Sequence, residues 1–204
     1  AFFGVVQANT NDTLDKVQEA VAPKLSQHQD AINLNPKLFA RVKTLWEKRA
    51  ALKLDAEQAQ VLKIYYDGFV HAGAQLSAAD QTRLKALNTQ LASLETSFQQ
   101  KLLAAAKAGA LVVDDKAKLA GLDDGKIAAA AAAAKDRKLD GKWVIPLQNT
   151  TQQPDLEDMT DRATREALFN NGWTRAEKGD ANDTRPAIQQ IAQARAEKAK
   201  LLGY

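Results

Sequence analysis

One segment constrains the fold of this chain more than any other, because apolar residues recur in it at spacings of three and four. The row consists of Leu84, Leu87, Leu91, Leu94, Phe98 and Leu102. This spacing places the whole row on one narrow face of an α-helix. Ser77 and Asp80 precede it, three residues apart as in a helix N-cap pair. The sequence therefore predicts a helix over 78–108, about 47 Å long at the usual rise per residue.

A helix of that length needs a partner for its apolar row, since a long isolated helix leaves its apolar side in water. The helix expected to begin at Asp55 is the simplest antiparallel neighbour. Its apolar residues are Leu62, Tyr65, Tyr66, Phe69 and Val70. Gly68 and Gly73 weaken the end of this helix.

Two further helices are predicted upstream. Asn11 or Asp12 is expected to cap the first, with a kink or break at Pro23 because proline removes a backbone hydrogen bond. Asn35 followed by Pro36 predicts the start of the second. The apolar face of the first carries Leu14, Val17, Val21, Leu25, His28 and Ile32, and that of the second carries Phe39, Val42, Leu45 and Trp46.

The character of the sequence changes after Gly109. Leu111–Val113 and Trp143–Ile145 are short, β-branched and bounded by turn residues, so they are predicted to pair as one small ribbon with Pro146 at an edge or a strand end. An alanine-rich helix is expected between them. One helical segment should follow Pro154 toward Trp173, and another should follow Asp183 as far as Gly203. The predicted fold class is mainly α: a multi-helix bundle with a long central helix and this ribbon.

Composition and charge exclude several functional classes. The hydrophobic fraction of 45% is enough for a sizeable core, and the absence of cysteine excludes disulfides and thiolate chemistry. The net charge of +3 comes from 28 basic and 25 acidic residues that are interspersed, which argues against a nucleic-acid partner. The longest strongly apolar run, at 128–134, is far too short for a membrane span of roughly 20 residues. No membrane partner is expected.

The sequence offers no set of residues for catalysis, cofactor binding or metal binding. No catalytic, cofactor-binding or metal-binding residue is therefore predicted. His28 and His71 belong to no H-E-x-x-H motif, and both are interpreted as structural. The segment Asp180–Arg185 resembles the start of a calcium loop but lacks its glycine and glutamate, so a turn and helix cap explain it better. Gln148–Gln153 is interpreted either as a loop-closing segment, which is favoured, or as a contact for a peptide backbone.

Three stretches resemble a known family. The opening "AFFGVVQANTNDTLDKVQEAVAPKLSQHQDAINLNPKLFARV", the middle "WVIPLQNTTQQPDLEDMTDRATREALF" and the close "RAEKGDANDTRPAIQQIAQARAEKAKLLGY" are similar to the N-terminal part of the bacterial dipeptidyl carboxypeptidases. These peptidyl-dipeptidases are thimet-oligopeptidase-like zinc metallopeptidases. The resemblance covers essentially the whole chain in the same order, with only the alanine-rich stretch uninformative.

The resemblance implies a larger hydrolase with two mainly helical lobes around a channel, which releases dipeptides from the C-termini of oligopeptides. Zinc would be held in the other lobe, by H-E-x-x-H and a later glutamate, so no cofactor and no activity are expected for this chain alone. Residues 1–204 would form one helical fragment of the N-terminal lobe: a bundle part at 1–109, the ribbon and alanine-rich helix at 110–150, and C-terminal helices at 151–204.

Further expectations follow from the same resemblance. The partners would be a preceding N-terminal segment and the C-terminal catalytic lobe, with an oligopeptide as substrate, and the compartment would be cytoplasmic or alternatively periplasmic. Both apolar ends, at Phe2–Val6 and Leu201–Tyr204, would be buried against those segments. The alternative is a free-standing interaction module that binds a partner helix along the row of the long helix.

Overall fold

The mainly helical prediction is confirmed by the computed structural model, which describes residues 2–204 and, among them, every side chain but those of Gln7 and Ala8. Within this range the chain forms nine α-helices, a short 3-10 helix at Lys116–Leu119 and one two-stranded sheet. The helices are α1 (Phe2–Ala8), α2 (Asp12–Asn33), α3 (Pro36–Glu47), α4 (Ala56–His71), α5 (Ala78–Ala108), α6 (Asp124–Asp136), α7 (Gln152–Asp158), α8 (Arg162–Trp173) and α9 (Arg185–Leu202). The strands are β1 (Leu111–Val113) and β2 (Trp143–Ile145). Helices long and apolar enough to cross a bilayer are absent from residues 2–204.

Side-chain caps begin the first helices where the sequence predicts them. Asn11 accepts hydrogen bonds from the backbone N–H groups of the first turn of α2, and Asn35 does the same for α3. Asp55 and Gln58 form a reciprocal capping box at the start of α4. At α5, Ser77 Oγ accepts from the Asp80 N–H at 3.1 Å and donates to Asp80 Oδ2 at 2.7 Å. These local contacts explain why sequence patterns locate the helix starts so well.

Two predicted helix boundaries are corrected by the structure. The break allowed for at Pro23 does not occur, because α2 continues through it from Asp12 to Asn33. The segment after Pro154 is two helices, α7 and α8, rather than one. Met159 lies between them in an extended conformation, with φ −61° and ψ 134°, and its side chain is buried. Asp161 then accepts from the Thr164 N–H and caps α8, so a new helix begins there.

The chain divides into two compact units, and α5 contributes residues to both. Unit 1 comprises the residues up to Ser97 together with Ala187–Tyr204, and unit 2 comprises Phe98–Pro186. The sequence-based division at residues 109 and 150 concerns the organisation of a larger lobe and stays a prediction.

Unit 2 is built around the predicted ribbon. Strands β1 and β2 pair antiparallel, with Leu111 opposite Ile145 and Val113 opposite Trp143. The alanine-rich α6 is the excursion between them and packs against β2, where Ala134 and Val144 are completely buried. The core of the unit consists of Val113, Leu119, Leu122, Ile145, Leu147, Met159 and Leu168. The ribbon is thus stabilised by the helices that cover it, since a two-stranded ribbon is marginal alone.

In unit 1, α5 packs against α9, a partner that the sequence analysis did not name. Helix α4 packs against α3, whereas Leu87 and Leu91 of α5 form a buried cluster with Ala194 of α9. Two ion pairs extend this contact: Arg83 with Glu197, and Arg195 with Glu95. The contact between α5 and α9 joins residues at least 100 positions apart in the sequence, so no local sequence pattern indicates it.

Helix α2 also presents a different face to unit 1 from the predicted one. The side chains of its apolar row are largely in solvent: Val17 is 41%, Leu25 49% and Ile32 40% exposed. The buried residues of this helix are instead Gln18 and Asp30. Near the ends of the chain, Val6 is buried, but Val5 is 56% and Tyr204 76% exposed.

Candidate functional site

A pocket of about 650 Å³ lies within unit 1, where α2, α5 and α9 come together beside the end of α4. Its wall is part polar and part apolar. The polar side chains include Gln29 and Asn33 of α2, and the apolar ones include Leu84 and Leu91 of α5. Four helices thus bring polar and apolar side chains together in this pocket of unit 1.

Asp30 and Asn88 line this pocket and form a hydrogen-bonded polar pair. Asp30 is only 7% exposed, and its Oδ1 accepts a hydrogen bond of 2.7 Å from Nδ2 of Asn88. The other oxygen of each side chain, Asp30 Oδ2 and Asn88 Oδ1, is fully shielded from solvent and has no hydrogen-bond partner in the described structure. A buried acceptor without a partner costs roughly 1–3 kcal/mol, so this pair calls for a physical explanation.

The charges around the pair set its protonation. Burial raises the pKa of Asp30 above the ordinary aspartate value. The hydrogen bond from Asn88 and the positive charges of Lys198 and Lys85 oppose that effect without cancelling it. Nearby, Arg195 is engaged with Glu95 at 2.6 Å and so is already neutralised as a pair.

The two histidines singled out in the sequence lie in different environments. His71 lines the pocket, and its ring centroid is 6.5 Å from that of Tyr204. His28 is exposed on α2, on the row that was predicted to face inward. The structure thus brings only His71 to the candidate site.

The segment Asp180–Arg185 forms a turn and the start of α9, as its interpretation as a turn and cap predicts. Asp183 accepts hydrogen bonds from the backbone N–H groups of Gly179 and Arg185, at 2.8 Å and 2.9 Å. The guanidinium of Arg185 adds an ion pair with the same carboxylate. These contacts, led by the Arg185 side chain, hold the pKa of Asp183 well below its usual range.

The segment Gln148–Gln153 closes a loop between β2 and α7. Thr151 Oγ1 donates to the carbonyl of Pro146 at 2.6 Å, and the Thr151 N–H donates to the carbonyl of Gln148 at 3.1 Å. The Gln152 N–H donates to the same Gln148 carbonyl. The favoured loop interpretation therefore describes this segment, while Asn149 and Thr150 remain exposed.

Comparison with known proteins identifies what this chain is related to. It is 51% identical over 203 residues to the dipeptidyl carboxypeptidase of Escherichia coli (strain K12), covering 100% of the chain and 30% of that protein. The chain is homologous to the bacterial dipeptidyl carboxypeptidases. The protein of that name from Salmonella typhimurium is 49% identical with the same coverage, and oligopeptidase A of Escherichia coli is 25% identical over 195 residues, or 94% of the chain and 28% of its own length. No family model matches the chain.

The homology confirms the resemblance seen in the sequence, and it also sets its extent. The chain spans about 30% of the length of the dipeptidyl carboxypeptidases that it matches. Among residues 2–204, no three His, Asp or Glu side chains converge in a way that could hold a metal ion. These described residues therefore offer no zinc site of their own, and the family resemblance implies zinc only in the other lobe.

The Asp30–Asn88 pair is the feature that sequence reasoning missed. Asp30 lies off the apolar row of α2, where a charged residue is expected to face water. No local signal marks it as buried, because its burial depends on α5 and α9 packing over the polar side of α2. Only a contact with Asn88, 58 residues away, reveals the pair.

Proposed function

We propose that this chain is the non-catalytic helical portion of a zinc metallopeptidase that releases dipeptides from the free C-termini of oligopeptides. One observation carries the proposal: an identity of 51% to a dipeptidyl carboxypeptidase that extends over the whole chain. The preceding segment and the C-terminal catalytic lobe of the larger enzyme would be its partners. That lobe would supply the zinc ligands and the general base.

Exposed apolar surface on unit 1 supports a role within a larger protein. The row Val17, Leu25 and Ile32 of α2 is 40–49% exposed. A second surface is an apolar groove of about 630 Å³ between α3 and α4, lined by Val42, Leu45, Leu52, Leu54, Val61, Leu62 and Tyr65. Large apolar patches with polar surroundings mark interaction surfaces in soluble proteins. Burial against the rest of the parent enzyme would remove both from water.

The role proposed for these helices is to form part of one wall of the substrate channel. A wall of rigid helices excludes folded proteins by sterics, while a flexible peptide can be ordered as it enters. The long α5 suits this role, because its contacts with α9 and its length of 31 residues give it support over several turns. The two units would then act as scaffold, and catalysis would take place elsewhere.

The alternative is a free-standing module that binds a partner helix along the row of α5, and part of that row is already buried. Leu84, Leu87 and Leu91 are at most 7% exposed, and α9 covers Leu87 and Leu91. A partner helix would have to displace α9 to reach them. The observations therefore favour the enzyme portion.

The coding sequence beyond Tyr204 tests the proposal directly. An in-frame H-E-x-x-H motif downstream, followed by a glutamate, is the expected result, since two histidines and a glutamate with one water form a typical catalytic zinc site. The complete product should retain stoichiometric zinc after dialysis and release dipeptides, and residues 1–204 alone should do neither. A stop codon directly after Tyr204, or dipeptide release by the purified chain alone, would contradict it.

A further inference from the structure

The buried pair Asp30–Asn88 connects two helices of unit 1 that are far apart in sequence. One hydrogen bond is already present, from Asn88 Nδ2 on α5 to Asp30 Oδ1 on α2. The two oxygens that remain without a partner belong to the same two side chains. Both are shielded from solvent, so a ligand in the adjoining pocket would not reach them.

The chemistry of the two groups offers a way to satisfy both oxygens. An ionised carboxylate only accepts hydrogen bonds, whereas a protonated one has an O–H to donate. A carboxylic acid and a primary amide can therefore form two parallel hydrogen bonds: N–H to carboxyl oxygen, and O–H to amide oxygen. With an ionised Asp30, both oxygens would remain buried acceptors with no hydrogen bond to accept.

We propose that Asp30 retains a proton in the folded chain and donates it in a hydrogen bond to Asn88 Oδ1. Two reciprocal hydrogen bonds then connect α2 to α5. The hydrogen bond from Asp30 is lost when the proton leaves. The pair is thus a pH-sensitive clasp within unit 1. Asp30 belongs to the same helix as the exposed apolar row of α2, so opening of the pair loosens the helix that carries that surface. This inference is independent of the proposed enzymatic role.

The charged and titratable groups around the clasp come from three helices. They are Lys85 and Glu95 on α5, Arg195 and Lys198 on α9, and His71 at the end of α4. Glu95 and Arg195 are paired with each other. Lys85 and Lys198 favour the ionised form of Asp30, but burial outweighs them, and the pKa of Asp30 is raised. The raised pKa of Asp30 therefore agrees with the two buried oxygens that lack a hydrogen-bond partner.

The pH dependence has a definite sign. Because the folded chain binds the Asp30 proton more tightly than the unfolded chain does, stability falls as pH rises from the ordinary aspartate pKa toward the raised folded one. Within that window, a difference of one bound proton increases the unfolding equilibrium constant by up to about tenfold per pH unit. Above the folded pKa the loss is complete and no longer changes with pH.

The substitution Asp30→Asn tests the clasp, because an amide preserves both hydrogen bonds at every pH. Unfolding of the full 204-residue chain by urea is measured between pH 4 and pH 8 for the unsubstituted chain and the variant. The unfolding constant of the unsubstituted chain, divided by that of the variant, should rise with pH. At pH 8 the variant should be at least as stable as the unsubstituted chain. Asp140→Asn, at an exposed aspartate, is the matched control and should leave the pH profile unchanged.

Two results would overturn the proposal. One is an Asp30→Asn variant whose profile runs parallel to that of the unsubstituted chain, or which is less stable than it at pH 8. The other does not depend on the variant folding: the carboxyl ¹³C shift of Asp30 in the unsubstituted chain, followed against pH by NMR. A midpoint above the ordinary aspartate value of about 4 supports the clasp, and a midpoint at or below it contradicts it.

Discussion

At the scale of single residues, Gly121 shows how closely the backbone of unit 2 is packed. Its φ is +98°, and a Cβ there would lie 2.1 Å from the carbonyl oxygen of Asp158. Gly141 also has a positive φ, +77°, but a Cβ there meets nothing within 4 Å. We expect Gly141→Ala to cost roughly 1–2 kcal/mol from the backbone conformation alone.

Gly121→Ala should cost about 4 kcal/mol or more, because backbone must move to remove the overlap. Urea unfolding of the two variants makes the comparison, and Gly141→Ala is the control for the left-handed conformation. Equal destabilisation of both variants would mean that the contact between Gly121 and Asp158 is not tight.

Asp183 provides a pH-dependent prediction. Its folded pKa is depressed by Arg185, so its stabilising effect is present above the ordinary aspartate pKa and decreases as pH falls toward the folded value. Asp183→Asn should therefore lower the melting temperature at pH 7. Below pH 4 the difference in melting temperature from the unsubstituted chain should become progressively smaller. Thermal unfolding followed by circular dichroism at several pH values measures this. A deficit that stays constant down to pH 2 would contradict it.

At the scale of elements, Ser77 tests the start of α5. Its Oγ accepts from the N–H of Asp80, which would otherwise lack a partner in the first turn. Ser77→Ala should cost about 1 kcal/mol. Ser93 on the same helix is exposed, and its Oγ bonds the carbonyl of Thr89, so Ser93→Ala should be nearly neutral. Chemical denaturation compares the two, and an equal loss for both would argue against the cap.

Helix starts and strands were predictable because their signals are local. Asn35 with Pro36, Asp55 with Gln58, and Ser77 with Asp80 each place the cap and its target within a few residues. The β-branched pairs of the ribbon are equally local. The exposed face of α2, the division between α7 and α8, and the partnership of α5 with α9 depend on contacts between distant segments. The same holds for Asp30 and Asn88, which is why the candidate site was not predicted.

At the scale of the whole molecule, the apolar groove between α3 and α4 predicts how the isolated chain behaves. Val61 is 47% and Tyr65 61% exposed within it. Without a covering segment, such a surface promotes association between copies of the chain. We expect Val61→Ser with Tyr65→Ser to lower the average mass in light scattering at high concentration.

Leu103→Ser with Val112→Ser is the matched control, because both residues are similarly exposed but belong to unit 2. This pair should leave the association unchanged. A monomeric unsubstituted chain at all concentrations, or an equal effect of both pairs, would show that the groove is not an association surface.

The central claim is that this chain serves as part of a dipeptidyl carboxypeptidase, and a chimera tests it most directly. The matching 203-residue segment of the Escherichia coli enzyme is replaced by this chain, and dipeptide release from an oligopeptide is measured beside zinc content. We expect a zinc-loaded chimera that releases dipeptides at a rate comparable with that of the unaltered enzyme. A chimera that is folded and zinc-loaded but releases no dipeptide would contradict it.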